Sequence, residues 1–304
     1  MLWLRQSLRG VLGVVLVAAN TLLHAVPLFA IALARVVPLS RWQQACGLVL
    51  VRIGEAWIDV NSAALRALVP VRIQARGLDA LEHDRSYLVV ANHQSWSDIV
   101  VLQYVLNRRV PFLRFFLKQQ LFYVPVLGLA WWALDFPFMR RHSAAAVAAR
   151  PELRAADLEE TRRACARYRE APVALLNFVE GTRFTVAKHR QSGSPYTHLL
   201  PPKAGGLAFA IGALGDQVHD LIDVTLAYPG GARTFWDFLC GRVPAVVVDV
   251  RVREIPAELL AASYADDAAA RDTFKGWLGR LWDEKDALLD ELQVPAKIRS
   301  SELS

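Results

Sequence analysis

Residues 11–34 read VLGVVLVAANTLLHAVPLFAIALA, a nearly unbroken apolar run. As a helix, a run of this length reaches ~36 Å, more than the ~30 Å hydrocarbon core of a bilayer. Arg5 and Arg9 precede it, and Arg35 and Arg41 follow. Asn20 and His24 interrupt it, and Pro27 would kink a helix. Two arrangements fit. One is a spanning helix. The other is a pair of short helices that dips into one leaflet and returns, with the breakers at the bend. The basic flanks are nearly equal, so they favour no orientation for a span. A cleaved signal peptide fits less well, because the run exceeds the usual apolar segment and no clean small-x-small site follows. The expectation is a membrane anchor.

The pattern then changes. Trp42, Cys46, Val49, Ile53, Trp57, Val60, Ala64 and Leu68 recur at steps of three and four, which predicts an amphipathic helix over 41–68. Such a helix can lie in the membrane interface or pack on a domain. From residue 71 the period falls to two: Val71, Ile73 and Ala75 alternate with Arg72, Gln74 and Arg76. Short apolar runs at 87–91, 173–179 and 224–228 predict buried strands, and 245–252 predicts another. Helical stretches are expected at 97–107, 144–150, 152–169 and 203–213, with a last helix over 256–292. Loops are expected at 192–195 and 230–231. The alternation predicts an α/β fold, a central mixed sheet flanked by helices, with an N-terminal membrane-associated helical element. The expected division is residues 1–69 for the anchor and amphipathic helix, and residues 70–304 for one catalytic domain.

Composition supports a lipid setting. Of 304 residues, 54% are apolar, and mean hydropathy is +0.25. Such a chain cannot be disordered. The net charge of +6 suits an anionic partner. Beside nine tryptophans and the apolar N-terminus, membrane lipid fits better than nucleic acid, for which no motif is present. Cys46, Cys165 and Cys240 are odd in number and far apart, which argues for reduced, buried thiols rather than disulfides or a cysteine zinc site.

Two segments carry candidate chemistry. In VVANHQSWSDIV, His93 follows an apolar strand and Asp98 stands at the start of a helix. With His93 in the loop, its ring can fold toward Asp98, which would fix the tautomer and leave the other nitrogen to act as a base. Read blandly, Ser97 or Asp98 only caps the helix. In NFVEGTRFT, Gly181 permits close backbone approach, Thr182 offers a hydroxyl, and Arg183 offers a planar fork for phosphate. The role of Glu180 is open at this point. The bland alternative is a strand-ending turn with a solvated arginine. Two strand-end segments in one sheet can converge where α/β sheets bind ligands.

At these residues the sequence resembles the glycerolipid acyltransferase family that includes bacterial 1-acylglycerol-3-phosphate acyltransferases. Asn92-His93-Gln94-Ser95-Trp96-Ser97-Asp98 matches the family's His-x4-Asp block. Phe178-Val179-Glu180-Gly181-Thr182-Arg183 matches its Phe-x-Glu-Gly-Thr-Arg block, about eighty residues on. The block between them, often Gly-x-x-Phe-x-x-Arg, is incomplete: Asp135, Phe138 and Arg141 occupy its places. The fourth block has Pro229 only at the end of its strand. The resemblance covers roughly residues 70–252 and looks closest to an inner-membrane bacterial subgroup.

The resemblance implies transfer of an acyl group from acyl-CoA or acyl carrier protein to the free hydroxyl of lysophosphatidic acid, with another lysophospholipid or lipid acceptor, such as an ornithine-type lipid or a lipid A precursor, as the alternative. It implies His93 as general base, Asp98 as its orienting partner, and Glu180, Gly181, Thr182 and Arg183, with Arg141, as the phosphate-holding set. It implies no metal and no cofactor beyond the donor, and a bacterial inner membrane with the catalytic domain facing the cytoplasm. A non-catalytic lipid-binding protein is the alternative from another class.

Overall fold

The structure is a computed structural model that describes residues 2–139 and 171–293, except 262, 263, 265 and 266, together with isolated positions between 159 and 168. It opens with two long helices, α1 (Leu2–Ala34) and α2 (Ser40–Leu68). Then follow β1 (Arg72–Arg76), β2 (Tyr87–Ala91), α3 (Ser97–Leu106), β3 (Leu113–Phe115), β4 (Leu117–Lys118), α4 (Leu127–Ala133) and β5 (Phe138–Met139). The second half holds β6 (Ala174–Asn177), α5 (Val186–Ser192), α6 (Ala204–Leu214), β7 (Asp220–Ala227), α7 (Phe235–Leu239), β8 (Ala245–Glu254), α8 (Ala257–Ala261) and α9 (Ala268–Gln293).

α1 and α2 form an antiparallel hairpin. Trp42 Nε1 donates to the Ala34 carbonyl, and Asn20 Nδ2 donates to the Trp57 carbonyl at 3.0 Å and to Asn61 Oδ1 at 2.9 Å. Trp57 Nε1 donates to Thr21 Oγ1, and His24 Nδ1 bonds the Asn20 carbonyl within its own helix. The polar positions that a re-entrant pair would have placed at a bend are therefore the seam between two helices. Pro27 sits inside an unbroken α1 on its exposed side. Residues 3–34 are long and apolar enough to cross a membrane, with mean hydropathy 2.1, and only 17% of the most apolar stretch is buried. The chain thus carries a helix suited to membrane association.

The central sheet has the order β1-β8-β7-β2-β6-β3. β7 and β8 run antiparallel, and the other neighbours are parallel, so the sheet is mixed. Every residue of β2 and β7 is buried, as expected of strands covered on both faces. Alternation sends Tyr87, Val89 and Ala91 to one face and Leu88 and Val90 to the other. The first face packs against Leu28 of α1, Leu50, Ile58 and Leu65 of α2, Leu102 of α3 and Leu239 of α7. The second packs against α6 and α9, through residues such as Leu207, Leu278 and Trp282.

The structure departs from the sequence expectations at polar or broken positions. β7 starts at Asp220 rather than Val224, because its polar residues are compensated in three dimensions. Lys285 of α9 is fully buried and donates to Asp223 Oδ1 at 2.5 Å, to the Val224 carbonyl and to Thr225 Oγ1. The last helix is two, α8 and α9, and Asp267 caps the second by accepting from the Ala269 N–H. The strand expected over 173–179 is confined to Ala174–Asn177, which leaves Phe178 onward free to turn. The helices expected over 144–150 and 152–169 lie outside the continuously described residues.

Candidate active site

β2 delivers His93 to the carboxyl end of the sheet, and Asn92 fixes that end. The buried Asn92 carboxamide donates to the Leu226 carbonyl at 2.9 Å and accepts from the Leu226 N–H at 2.8 Å, which staples β2 to β7. The chain then loops through Ser95, whose hydroxyl donates to the Arg233 carbonyl, and enters α3 at Ser97.

Asp98 lies in the first turn of α3 and is completely buried. Its Oδ2 accepts from the backbone N–H groups of Gln94 (2.7 Å) and Ser95 (2.9 Å) and lies 2.8 Å from His93 Nδ1. The capping and catalytic readings of the sequence therefore combine in one carboxylate: it holds the loop and the ring together. The proton of a neutral His93 is placed on Nδ1, and Nε2 keeps its lone pair. The His93 ring stacks on Phe178 with centroids 4.1 Å apart and planes 18° apart, and its side chain is 12% exposed.

Tyr228 completes the arrangement, and no sequence signal pointed to it. Its hydroxyl donates to Asp98 Oδ1 at 2.5 Å. Burial pushes the phenol well above its ordinary pKa, and the adjacent Asp98 charge pushes the same way, so Tyr228 remains a donor.

The turn after β6 meets this loop. Glu180 Oε1 accepts from the His93 N–H at 3.2 Å, and the Phe184 N–H donates to the His93 carbonyl at 2.7 Å. Glu180 is buried, and its Oε2 has no hydrogen-bond partner among the described residues. Burial pushes its carboxyl up to about 8, against the backbone hydrogen bonds from His93 and Leu200, which pull it down. The residue whose role the sequence left open is thus a largely protonated carboxyl near neutral pH, braced against the backbone of His93.

Gly181 adopts φ +71°, a conformation costly for other residues. Thr182 Oγ1 accepts from Lys188 Nζ at 2.6 Å. The Arg183 guanidinium rests over the Trp96 ring, 4.7 Å from its centroid. The structure therefore brings His93, Asp98, Glu180, Gly181, Thr182 and Arg183 into one region at the carboxyl end of the sheet. Arg141 lies outside the described residues. Among the described residues, no group of three or more His, Cys, Asp or Glu side chains forms a metal-binding cluster.

Known proteins resemble this chain in sequence and in fold. The 1-acyl-sn-glycerol-3-phosphate acyltransferase gamma of Mus musculus is 33% identical over 180 residues, which is 56% of this chain and 43% of that protein. The 2-acyl-1-lysophosphatidylinositol acyltransferase of Saccharomyces cerevisiae is 26% identical over 140 residues, 39% of this chain and 32% of that protein. The chain thus matches less than half the length of these relatives. The crystal structure of the 1-acyl-sn-glycerophosphate (LPA) acyltransferase from Thermotoga maritima superposes with a TM-score of 0.58 at 17% identity, covering 95% of this chain and 98% of that one, and so shares its fold. Residues 72–228, just over half of the chain and including both ends of the site, match the sequence model of the family described as Acyltransferase. The chain belongs to the acyltransferase family.

Proposed function

We propose that this chain transfers a fatty acyl group from a thioester donor, acyl-CoA or acyl carrier protein, to the free hydroxyl of lysophosphatidic acid, giving phosphatidic acid. The observation that carries the reading is the His93–Asp98 pair at 2.8 Å, built against the Glu180–Arg183 turn. His93 Nε2 takes the proton of the acceptor hydroxyl as its oxygen attacks the thioester carbonyl. The tetrahedral intermediate collapses with loss of the thiolate, and the imidazolium returns the proton to sulfur. Asp98 stabilises the imidazolium between these steps. The thioester is already activated, so the reading requires neither a covalent enzyme intermediate nor a cofactor.

Arg183 supplies a bidentate fork for the acceptor phosphate when it leaves the Trp96 face. The mouse relative is named for lysophosphatidic acid and the yeast relative for a lysophosphatidylinositol. Both acceptors carry a phosphate beside the glycerol, the chemistry that an arginine fork recognises. The test is to supply the purified full-length protein with a panel of lysolipids and both donors. Preferred acylation of lysophosphatidic acid supports the reading, and no phosphatidic acid from either donor sinks it.

The same proposal places the protein on the cytoplasmic face of a bacterial inner membrane, held by α1 lying along one leaflet. A Cβ on Gly10 would fall 2.7 Å from Cys240 Sγ, so the first part of α1 touches α7. At the other end Arg35 pairs with Asp135 at 2.8 Å, just beyond α4. These contacts lie about 38 Å apart along the helix. A helix held at both ends by one domain lies along it rather than leaving it to cross a bilayer. Leu22, Leu23, Val26 and Leu33 remain exposed to meet lipid.

A further inference from the structure

The turn after β6 gathers three cations, and they divide between the two faces of the sheet. Arg183 lies on Trp96, which leads into α3 on the hairpin face. Lys188 Nζ bonds Thr182 Oγ1 and the Arg183 carbonyl. Lys203 Nζ sits 3.2 Å from where a Cβ on Gly181 would stand. Residues 199–203 belong to the opposite face: Leu199 packs in the α6–α9 cluster, and Trp282 Nε1 donates to the Leu200 carbonyl at 3.1 Å. Lys188 and Lys203 line one cleft of about 390 Å³ together with Thr182, Gln191, Ser192 and Glu180.

Nothing in this cleft neutralises the lysines. Among the described residues, Lys188 Nζ is bonded only to uncharged oxygens, and Lys203, whose backbone N–H donates to the Val179 carbonyl, has no partner for its ammonium. The nearby carboxyl is Glu180, whose buried Oε2 is unpartnered. Burial raises its pKa to about 8, so at pH 7 that carboxyl is mostly neutral and sets no charge against an anion in the cleft.

The geometry points to a second anion subsite, in which Lys188 and Lys203, with Glu180 at its floor, bind the phosphate groups of the thioester donor and leave Arg183 to the lipid acceptor. The inference rests on the acyl-transfer reading above and goes beyond it by naming the donor's side. The polarity of the two faces assigns the occupant. The acceptor is a lipid and arrives where the apolar hairpin lies. Coenzyme A or a phosphopantetheine arm is water-soluble, multiply anionic, and suited to an open polar cleft on the other face. The thioester then reaches His93 across the Glu180–Thr182 turn.

The test uses the full-length detergent-solubilised protein and two readouts. Calorimetry measures binding of free coenzyme A with no acceptor present. Steady-state kinetics compares acyl-CoA with S-acyl pantetheine, which lacks phosphate, and lysophosphatidic acid with monoacylglycerol. K188M and K203M should each weaken coenzyme A binding and raise KM for acyl-CoA by ~10-fold, the scale of one hydrogen bond to a charged group. The paired K188R/K203R variant should retain most of the binding. With S-acyl pantetheine the loss in the methionine variants should be several-fold smaller than with acyl-CoA. Undiminished coenzyme A binding in the folded methionine variants would overturn the subsite. So would an equal loss with the phosphate-free donor, or a loss that follows the acceptor's phosphate. Failure of the wild type to acylate lysophosphatidic acid would overturn the acceptor instead, and the binding experiment reads the subsite independently of it.

Discussion

Tyr228 and Asp98 meet at 2.5 Å although 130 residues separate them. The residue after β7 thus holds one oxygen of the carboxylate whose other oxygen holds His93. Tyr228→Phe removes that donor and leaves Asp98 Oδ1 buried without it. Loss of a hydrogen bond to a charged group predicts a fall in kcat of roughly 10-fold or more. Steady-state kinetics on variant protein of wild-type circular dichroism measures the loss, and an unchanged kcat would mean that this contact does not support Asp98 in the reaction.

His93→Ala should fold and lose ~10²–10⁴-fold in kcat, the usual scale of general-base catalysis. Asp98→Asn should give a comparable loss, because an amide cannot match the carboxylate's stabilisation of the imidazolium. Single-turnover assays on protein of wild-type circular dichroism would measure both. Near-normal transfer by the alanine variant contradicts the proposed mechanism.

Glu180→Gln isolates the effect of burying an acid. The folded carboxyl is raised to about 8, so between its ordinary range and pH 8 the folded chain binds more protons than the unfolded one. Stability from this group is therefore fully present below about pH 4.5 and lost as pH rises through about 8. Glutamine keeps the neutral form and escapes the loss. The variant's thermal midpoint should match wild type at low pH and exceed it increasingly toward pH 8. Parallel midpoint curves would mean that Glu180 is ionised in the folded protein.

Arg183→Lys keeps a charge and loses the planar fork. With lysophosphatidic acid, kcat/KM should fall roughly 10-fold or more, and chiefly through KM if the phosphate is held alike in ground and transition states. With monoacylglycerol the change should shrink. Equal losses on the two acceptors would assign Arg183 to the donor or to the Trp96 contact.

Much of this site was legible because burial and local spacing coincide. The fully apolar β2 ends where His93 begins, and the five-residue step to Asp98 is short enough for a loop and one helical turn to close. Tyr228 was not legible. It stands in an apolar strand end, and only the sheet order β7-β2 brings it to Asp98. β7 was half hidden for a related reason. Asp220 pairs with Arg85, and Asp223 and Thr225 read as solvent-facing until Lys285, on a helix predicted only for its apolar stripe, is seen to bury its ammonium between them. Asn20 of α1 misled in the same way, because its partners Trp57 and Asn61 lie across a hairpin. Local pattern reports what a residue prefers, and these residues had their preferences met by distant ones.

The six-stranded sheet keeps the hairpin on one face and the 199–203 segment on the other, with His93 just past the carboxyl end of the interior strand β2. On the proposed reaction the two products depart by separate exits. Phosphatidic acid would rejoin the leaflet, the freed thiol would diffuse into water, and neither would wait for the other to clear. Product inhibition should split along the same line, with free coenzyme A competing against the donor and phosphatidic acid against the acceptor.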